Sequence, residues 1–450
     1  MPDATPGTPA LLAHPARYVV RSFIAAIATG TALLLLPAAT ESGRTTSLLD
    51  AAFTATSAVC VTGLSVVNTA DHWSDLGHLV ILLLIELGGL GFMTLSSLLV
   101  LAVSRRLGLR QQLVANTERG APNLGEVRSV LLGVAVVTLT VQLVVALVLA
   151  ARFATTHGYG VGNAVWNGVF HSVSAFNNAG FDLFGDSMVG FADDPVVLLP
   201  LMAAIVIGGL GFPVLIDLRR SRARLDTLSL HSKVTLSATA ALLVVSFVLM
   251  TANEWTNAAT MGPHSVPQKL LDGAFAAVSP RTAGFNSLDI AQMHPETLLA
   301  TIVLMFIGAG SAGTSGGIKV GTFAILALVI WSQLRGERDV TGFGRRIPSG
   351  VQRQATTIAL LAVALVMGAT ALMLYSAEAT LADAAFEATS AFGTVGLSTG
   401  LTPELPPPDK VGLMILMLVG RVGPITLFTA LVLRSHPSRY RLPEEGPLIG

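Results

Sequence analysis

Charge is scarce in this chain. Only 12% of its 450 residues are Asp, Glu, Lys or Arg, about half the ~25% usual in soluble domains. With 52% apolar residues, that scarcity excludes a string of soluble domains and leaves a membrane protein of several spans. The formal net charge is zero, so no global field argues for a nucleic-acid partner. A single cysteine, Cys60, excludes an internal disulfide framework. The first 16 residues lack a basic segment of the kind that opens a cleavable signal peptide. The first apolar run is therefore read as a retained helix. No nucleophile–base pair and no HExxH-type ligand set is visible, which argues against an intramembrane enzyme.

What the chain does contain is long apolar runs. Eight can cross a ~30 Å hydrocarbon core at ~1.5 Å per residue, at about 18–37, 76–103, 127–151, 196–217, 234–252, 298–334, 355–376 and 411–433. The Lys/Arg placement orders them. Arg44, Arg152, Lys269, Arg281 and Lys410 fall on one side, and Lys319 and Arg421 fall at membrane depth. The other 20 of the 27 fall on the opposite side. Cytoplasmic loops carry the basic excess, so both termini are expected in the cytoplasm of a plasma-membrane protein. The basic loops, such as Arg219-Arg220-Ser221-Arg222-Ala223-Arg224, serve topology and anionic membrane lipid as well as any docking partner.

A short pattern recurs four times: DAAFTATSAVCVTGL (Asp50 to Leu64), NGVFHSVSAFNNAGF (Asn167 to Phe181), DGAFAAVSPRTAGF (Asp272 to Phe285) and DAAFEATSAFGTVGL (Asp383 to Leu397). Each lies between two apolar runs and passes from Phe through Ser to a Gly. The expected fold is an all-α polytopic membrane protein of four pseudo-symmetric helix–pore loop–helix repeats around one central cation pore. Irregular backbone at membrane depth is tolerated only where it lines a cavity, and a ring of backbone carbonyls can replace an ion's water. The matched triplets are Val61-Thr62-Gly63, Asn178-Ala179-Gly180, Thr282-Ala283-Gly284 and Thr394-Val395-Gly396. A cation stripped of its water at their carbonyls is the expected cargo. Repeat three is one residue shorter between Ser279 and Gly284, so the ring is expected to be pseudo-symmetric. The expected divisions are a cytoplasmic N-terminus (1–17), repeats at 18–103, 127–217, 234–334 and 355–433, and a cytoplasmic tail (434–450).

These repeats resemble the Trk/Ktr/HKT superfamily of potassium transporters over nearly the whole chain, and the absence of two additional N-terminal helices resembles its Ktr branch. The resemblance implies that Gly63, Gly180, Gly284 and Gly396 are filter glycines. In the plant-type branch, Ser at the first position goes with sodium preference, so Gly63 implies potassium. The resemblance also implies a homodimer on a cytosolic ring of RCK-type nucleotide-binding regulatory subunits. No cofactor is expected in this chain; ATP or ADP is expected on that partner, because the inner loops leave no room for a nucleotide-binding domain. A sodium-selective or sodium–potassium symporting relative is the alternative.

Each second span also carries a glycine cluster: Gly88-Gly89-Leu90-Gly91, Gly208-Gly209-Leu210-Gly211, Gly308-Ala309-Gly310 and Gly420-Arg421-Val422-Gly423. Close helix packing explains the first two. The third continues as GAGSAGTSGGIKVGT, and at ~1 kcal/mol per Gly a continuous helix is not expected there. A broken helix with a loop at about 308–321, including Gly310, Gly313, Gly316 and Gly317, matches the superfamily's intramembrane gate. Arg421 reads as a positive barrier under the filter, with Glu86 as a candidate partner, and Lys319 as a snorkelling cation or part of the gate. Arg281 is expected to pair with an acid such as Asp289. Asp50, Asp272 and Asp383 are expected to cap the short helices. His171 and Cys60 are expected to be structural.

Overall fold

In a computed structural model, residues 15–91, 124–222 and 224–423 are described. Among the described residues the chain is mainly helical, and its helices fall into four groups, each holding one short helix that carries the motif. The first unit is α1 (Pro15–Leu34), the short α2 (Leu48–Cys60) and α3 (75–91). The second is α4 (Leu124–Thr155), the short α5 (Val161–Asn177), α6 (Pro195–Leu210) and α7 (Phe212–Arg220). The third is α8 (Leu230–Glu254), the short α9 (Val266–Val278), α10 (Pro295–Phe306) and α11 (Val320–Leu334). A two-stranded ribbon, Thr341–Gly342 with Arg345–Arg346, leads to the fourth: α12 (Ser349–Ser376), the short α13 (Leu381–Gly393) and α14 (Pro407–Val422).

Among the described residues, three unbroken helices are long and apolar enough to cross a bilayer: Leu131–Thr155, Leu230–Glu254 and Ser349–Ser376. The run at 196–217 is not one straight span. It bends by 93° between α6 and α7 at Gly211, whose φ of 89° and ψ of 142° end the helix. Gly423 ends α14 with nearly the same angles, φ 90° and ψ 135°. The run at 298–334 is interrupted between Phe306 and Val320. The ends of the runs at 76–103 and 411–433, the N-terminal residues 1–14, the basic segment 104–123 and the tail lie outside the described residues.

The repeated motif is a packing unit before it is anything else. Its Phe is buried in every copy (Phe53, Phe170, Phe275, Phe386), as is the residue after its Gly (Leu64, Phe181, Phe285, Leu397). The motif's aspartates do not cap as expected. Ser47 and Thr380 are the N-caps of α2 and α13, and their hydroxyls accept the amides of Asp50 and Asp383 at 3.1 and 3.2 Å. Each hydroxyl also donates to that Asp carboxylate at 2.6 Å, so the aspartate holds the capping side chain in place. Asp272 lies inside α9, which begins six residues earlier, and its carboxylate meets His264 at 2.7 Å and accepts from Ser287 at 3.2 Å.

A bond network closes the join between α4 and α6. Asp194 caps α6, accepting the Val196 amide at 2.9 Å, and pairs with Arg152 at 2.7 Å and His157 at 2.8 Å. Burial pushes its carboxyl upward, but the bonds from Arg152, His157 and the Val196 amide outweigh it and hold the group below the usual carboxylate range.

Candidate functional site: a ring of four glycines

The four short helices converge with their C-termini on one ring. A Cβ built on Gly63 would lie 2.4 Å from the carbonyl oxygen of Ala179, and one on Gly180 would lie 3.0 Å from that of Ala283. On Gly284 it would lie 2.3 Å from the Val395 oxygen, and on Gly396 2.2 Å from the Thr62 oxygen. Each glycine thus abuts the backbone of the next unit in chain order, and the fourth abuts the first. No side chain fits at any of these positions, and all four glycines have positive φ: 91°, 68°, 77° and 96°.

The residue two before each glycine is also left-handed: Val61 (φ 56°), Asn178 (59°), Thr282 (70°) and Thr394 (49°). For β-branched residues such a conformation is unusual and costs about 1–3 kcal/mol, so the surroundings must impose it. Composition and motif spacing gave no sign of it. The residues between, Thr62, Ala179, Ala283 and Val395, are not left-handed.

The motif serine braces each loop. Ser57 and Ser390 accept the amides of Gly63 and Gly396 at 3.0 and 3.1 Å. Ser174 donates to the Phe181 carbonyl at 2.8 Å, and Ser279 donates to that of Phe285. The same serines also explain how repeat three stays in register. The amides of Thr62, Ala179 and Val395 reach back five residues to the serine carbonyls at 2.8–2.9 Å, a Schellman closure. In repeat three Ala283 reaches back only four, to Ser279 at 3.0 Å, which absorbs the missing residue. A further brace went unnoticed in the sequence. Glu387 of α13 is buried and accepts from Ser398 at 2.5 Å, the Thr399 amide at 3.1 Å and Thr402 at 2.5 Å, tying the chain after Gly396 to its short helix. His171, nine residues before Gly180 as Glu387 is before Gly396, accepts the Leu183 amide at 3.3 Å and stacks on Phe184 at 4.4 Å.

Glycines of the second helices make close approaches to the short ones. Cβ atoms on Gly88, Gly208 and Gly420 would fall 2.0, 1.9 and 1.8 Å from the carbonyl oxygens of Val59, Phe176 and Phe392, each four residues before a ring glycine. The third unit differs. Its second helix opens at Phe306, and the loop's backbone groups find partners on other units. The Gly310 amide donates to Gly209 O at 2.7 Å, Thr314 N to Gly208 O at 3.2 Å and Gly317 N to Gly420 O at 3.2 Å. The carbonyls of Gly208 and Gly209 are available because α6 stops at Gly211. Gly310 packs on the Leu210 carbonyl, Gly313 on those of Gly208 and Gly209, Gly316 on the Thr394 side chain and Gly317 on Gly393. The loop therefore sits directly against the ring of unit four.

Arg421 and Arg281 have partners other than those expected. Arg421 does not pair with Glu86; its guanidinium donates to Gly88 O at 2.9 Å and to the Thr314 carbonyl in the loop. Glu86 instead accepts from Asn177 at 2.6 Å and Gln142 at 2.9 Å. Lys319 does not snorkel outward. Its ammonium turns back to the Ser315 carbonyl and lies 3.4 Å from that of Gly316. Arg281 does not reach Asp289: it is buried against α8, donating to Thr239 O at 3.1 Å, while Asp289 caps its own turn at Ala291. Cys60 is buried in the main core.

The profile of the TrkH family, described as a cation transport protein, matches residues 2–440. The chain is 39% identical over 435 residues to the Ktr system potassium uptake protein B of Vibrio alginolyticus, covering 96% of this chain and 94% of the relative. It is 36% identical over 430 residues to the Bacillus subtilis protein of that name, covering 96% and 95%. It is also 36% identical over 444 residues to the potassium/sodium uptake protein NtpJ of Enterococcus hirae, covering 97% of each. The fold matches the crystal structure of the potassium transporter TrkH from Vibrio parahaemolyticus with a TM-score of 0.73 at 18% identity, over 92% of this chain and 84% of that one. A predominantly helical polytopic membrane protein with a matching profile along almost its full length, this chain belongs to the TrkH family of cation transport proteins.

Proposed function

We propose that the chain carries out potassium uptake across the plasma membrane, with both termini cytoplasmic. K+ is cargo that exchanges water for the carbonyl oxygens of Val61-Thr62-Gly63, Asn178-Ala179-Gly180, Thr282-Ala283-Gly284 and Thr394-Val395-Gly396. The observation that carries this reading is the closed ring: each glycine abuts the carbonyl of the residue before the next glycine. In an extended strand successive carbonyls alternate sides. The alternating sign of φ along each triplet cancels that alternation, which favours a run of oxygens facing one path. The short helices end at this ring, and their C-terminal partial charge favours a cation.

Gating belongs to the loop holding Gly310, Gly313, Gly316 and Gly317, with Lys319 folded onto it and Arg421 bonded to it. A positive charge beside the path and a loop packed on Thr394 both oppose passage in the conformation described. The Ktr system names of the relatives support a partner subunit, and the resemblance implies a homodimer on a nucleotide-binding cytosolic ring. The enterococcal relative's name keeps a sodium–potassium reading in view.

The test is growth of an uptake-deficient bacterium at limiting potassium, with and without a co-expressed regulatory subunit. Rescue by the chain, strengthened by the partner, is the expected result. Failure in both strains, with the protein present in the membrane, overturns the reading.

A further inference from the structure

A groove of about 630 Å³ runs between α8 and α11, away from the ring. Its walls include Val234, Ala241 and Val245 on α8 and Phe323, Ala327 and Trp331 on α11, with Phe343 of the ribbon at one end. Small residues face each other along it, so the two helices leave a trough where larger side chains would have met. Val245, Phe323 and Trp331 are 50%, 38% and 54% exposed, so the trough is open along its length.

Its dimensions and ends carry the argument. From Val234 to Val245 the helix rises roughly 16 Å, about half of a ~30 Å hydrocarbon core and so the depth of one leaflet. One end of the groove lies near the start of α11 at Val320, which follows the loop of the third unit. At the other end both walls finish on a cation. Lys233 precedes Val234 on α8, its ammonium donating to the Asp226 carbonyl at 3.0 Å, and Arg335 follows α11 with its guanidinium 4.6 Å from the Trp331 ring centre. Arg346 of the adjoining ribbon is held by Asp339 at 2.9 Å, whereas Arg335 meets Glu337 only at 4.0 Å.

From this we infer a binding site for one anionic phospholipid: an acyl chain fills the trough and the phosphate lies between Lys233 and Arg335. In a bilayer an apolar groove gains nothing from leaving water, because lipid tails are as apolar as leucine. Occupancy by hydrocarbon follows from filling space, and selection for a lipid class comes from the two cations. A helix of a second copy fits less well. It would be 10–12 Å wide and would run on past the roughly 16 Å that the trough spans.

The test uses full-length protein in nanodiscs of mixed phosphatidylglycerol and phosphatidylcholine, with retained lipid counted by native mass spectrometry. Wild-type protein is expected to keep one phosphatidylglycerol per chain in preference to phosphatidylcholine. The Lys233→Gln/Arg335→Gln variant should bind it about thirtyfold more weakly, at about tenfold per 1.4 kcal/mol and ~1 kcal/mol per cation. Ala241→Trp should displace the acyl chain and abolish retention. Equal retention of the two lipids by wild type, or unchanged retention in the double variant, overturns the site. A changed oligomeric state in Ala241→Trp with phosphatidylglycerol still retained assigns the groove to a second copy and also overturns it. Should that variant fail to fold, the double variant decides alone, since neither of its residues is buried in the core.

Discussion

The guanidinium of Arg421 donates to the main-chain oxygen of Thr314, joining the last described helix to the loop that interrupts the third unit. The same side chain also donates to Gly88 O in the first unit, so one residue spans three of the four units. A charged donor to a buried carbonyl contributes about 1.5–3 kcal/mol. Arg421→Gln is therefore expected to raise rubidium flux into proteoliposomes about tenfold or more in the absence of any regulatory partner. Unchanged or lower flux, with the variant folded, removes Arg421 from the barrier.

Gly63→Ser introduces a Cβ 2.4 Å from the Ala179 oxygen at a backbone φ of +91°. The ring must shift by several tenths of an ångström, and the carbonyl of the neighbouring unit moves with it. Potassium-over-sodium selectivity, measured by competition in the flux assay, is expected to fall at least about tenfold, the equivalent of ~1.4 kcal/mol. Full selectivity in this variant is incompatible with the ring as filter.

Ser57→Ala leaves the Gly63 amide without its 3.0 Å acceptor in a buried loop. An unsatisfied buried donor costs about 1–3 kcal/mol. Thermal stability and selectivity should drop together, and Ser390→Ala should repeat the effect in unit four. Loss of stability with selectivity intact would make these serines braces of the fold alone.

Deleting part of Gly310–Gly317 removes loop backbone that donates to Gly209, Gly208 and Gly420. Flux without a partner is expected to rise. Flux that stays at the wild-type level would exclude the loop from gating.

Asp194 offers a pH test outside the membrane. Its native carboxyl lies below the ordinary value, so its stabilising contribution is complete above the unfolded value of about 3.9 and is lost as pH falls through the depressed one. In thermal unfolding, Asp194→Asn should be less stable than wild type above about pH 4, and the two should converge in stronger acid. A constant difference across that range would mean that packing, not charge, is what Asp194 supplies.

Much of this arrangement is written locally. The Phe–Ser–Gly motif, read at Asp50, Asn167, Asp272 and Asp383, marks the short helices and the loops that follow, because apolar spacing and glycine act over a few residues. The glycine density at 308–317 marks the break in the third unit for the same reason. The left-handed backbone at Val61 and Thr394 runs against local preference, and only the packed ring imposes it.

Sequence by itself determined the class of protein, the short helices and the four glycines that meet, since hydropathy and glycine content are properties of short stretches. Tertiary structure decided the partners: Gly63 beside Ala179, Arg421 on Thr314 rather than Glu86, Arg281 on Thr239 rather than Asp289, and the bend at Gly211. Each of these matches a donor or a bare backbone to a carbonyl from a distant unit. Which carbonyl is within reach depends on how whole helices cross.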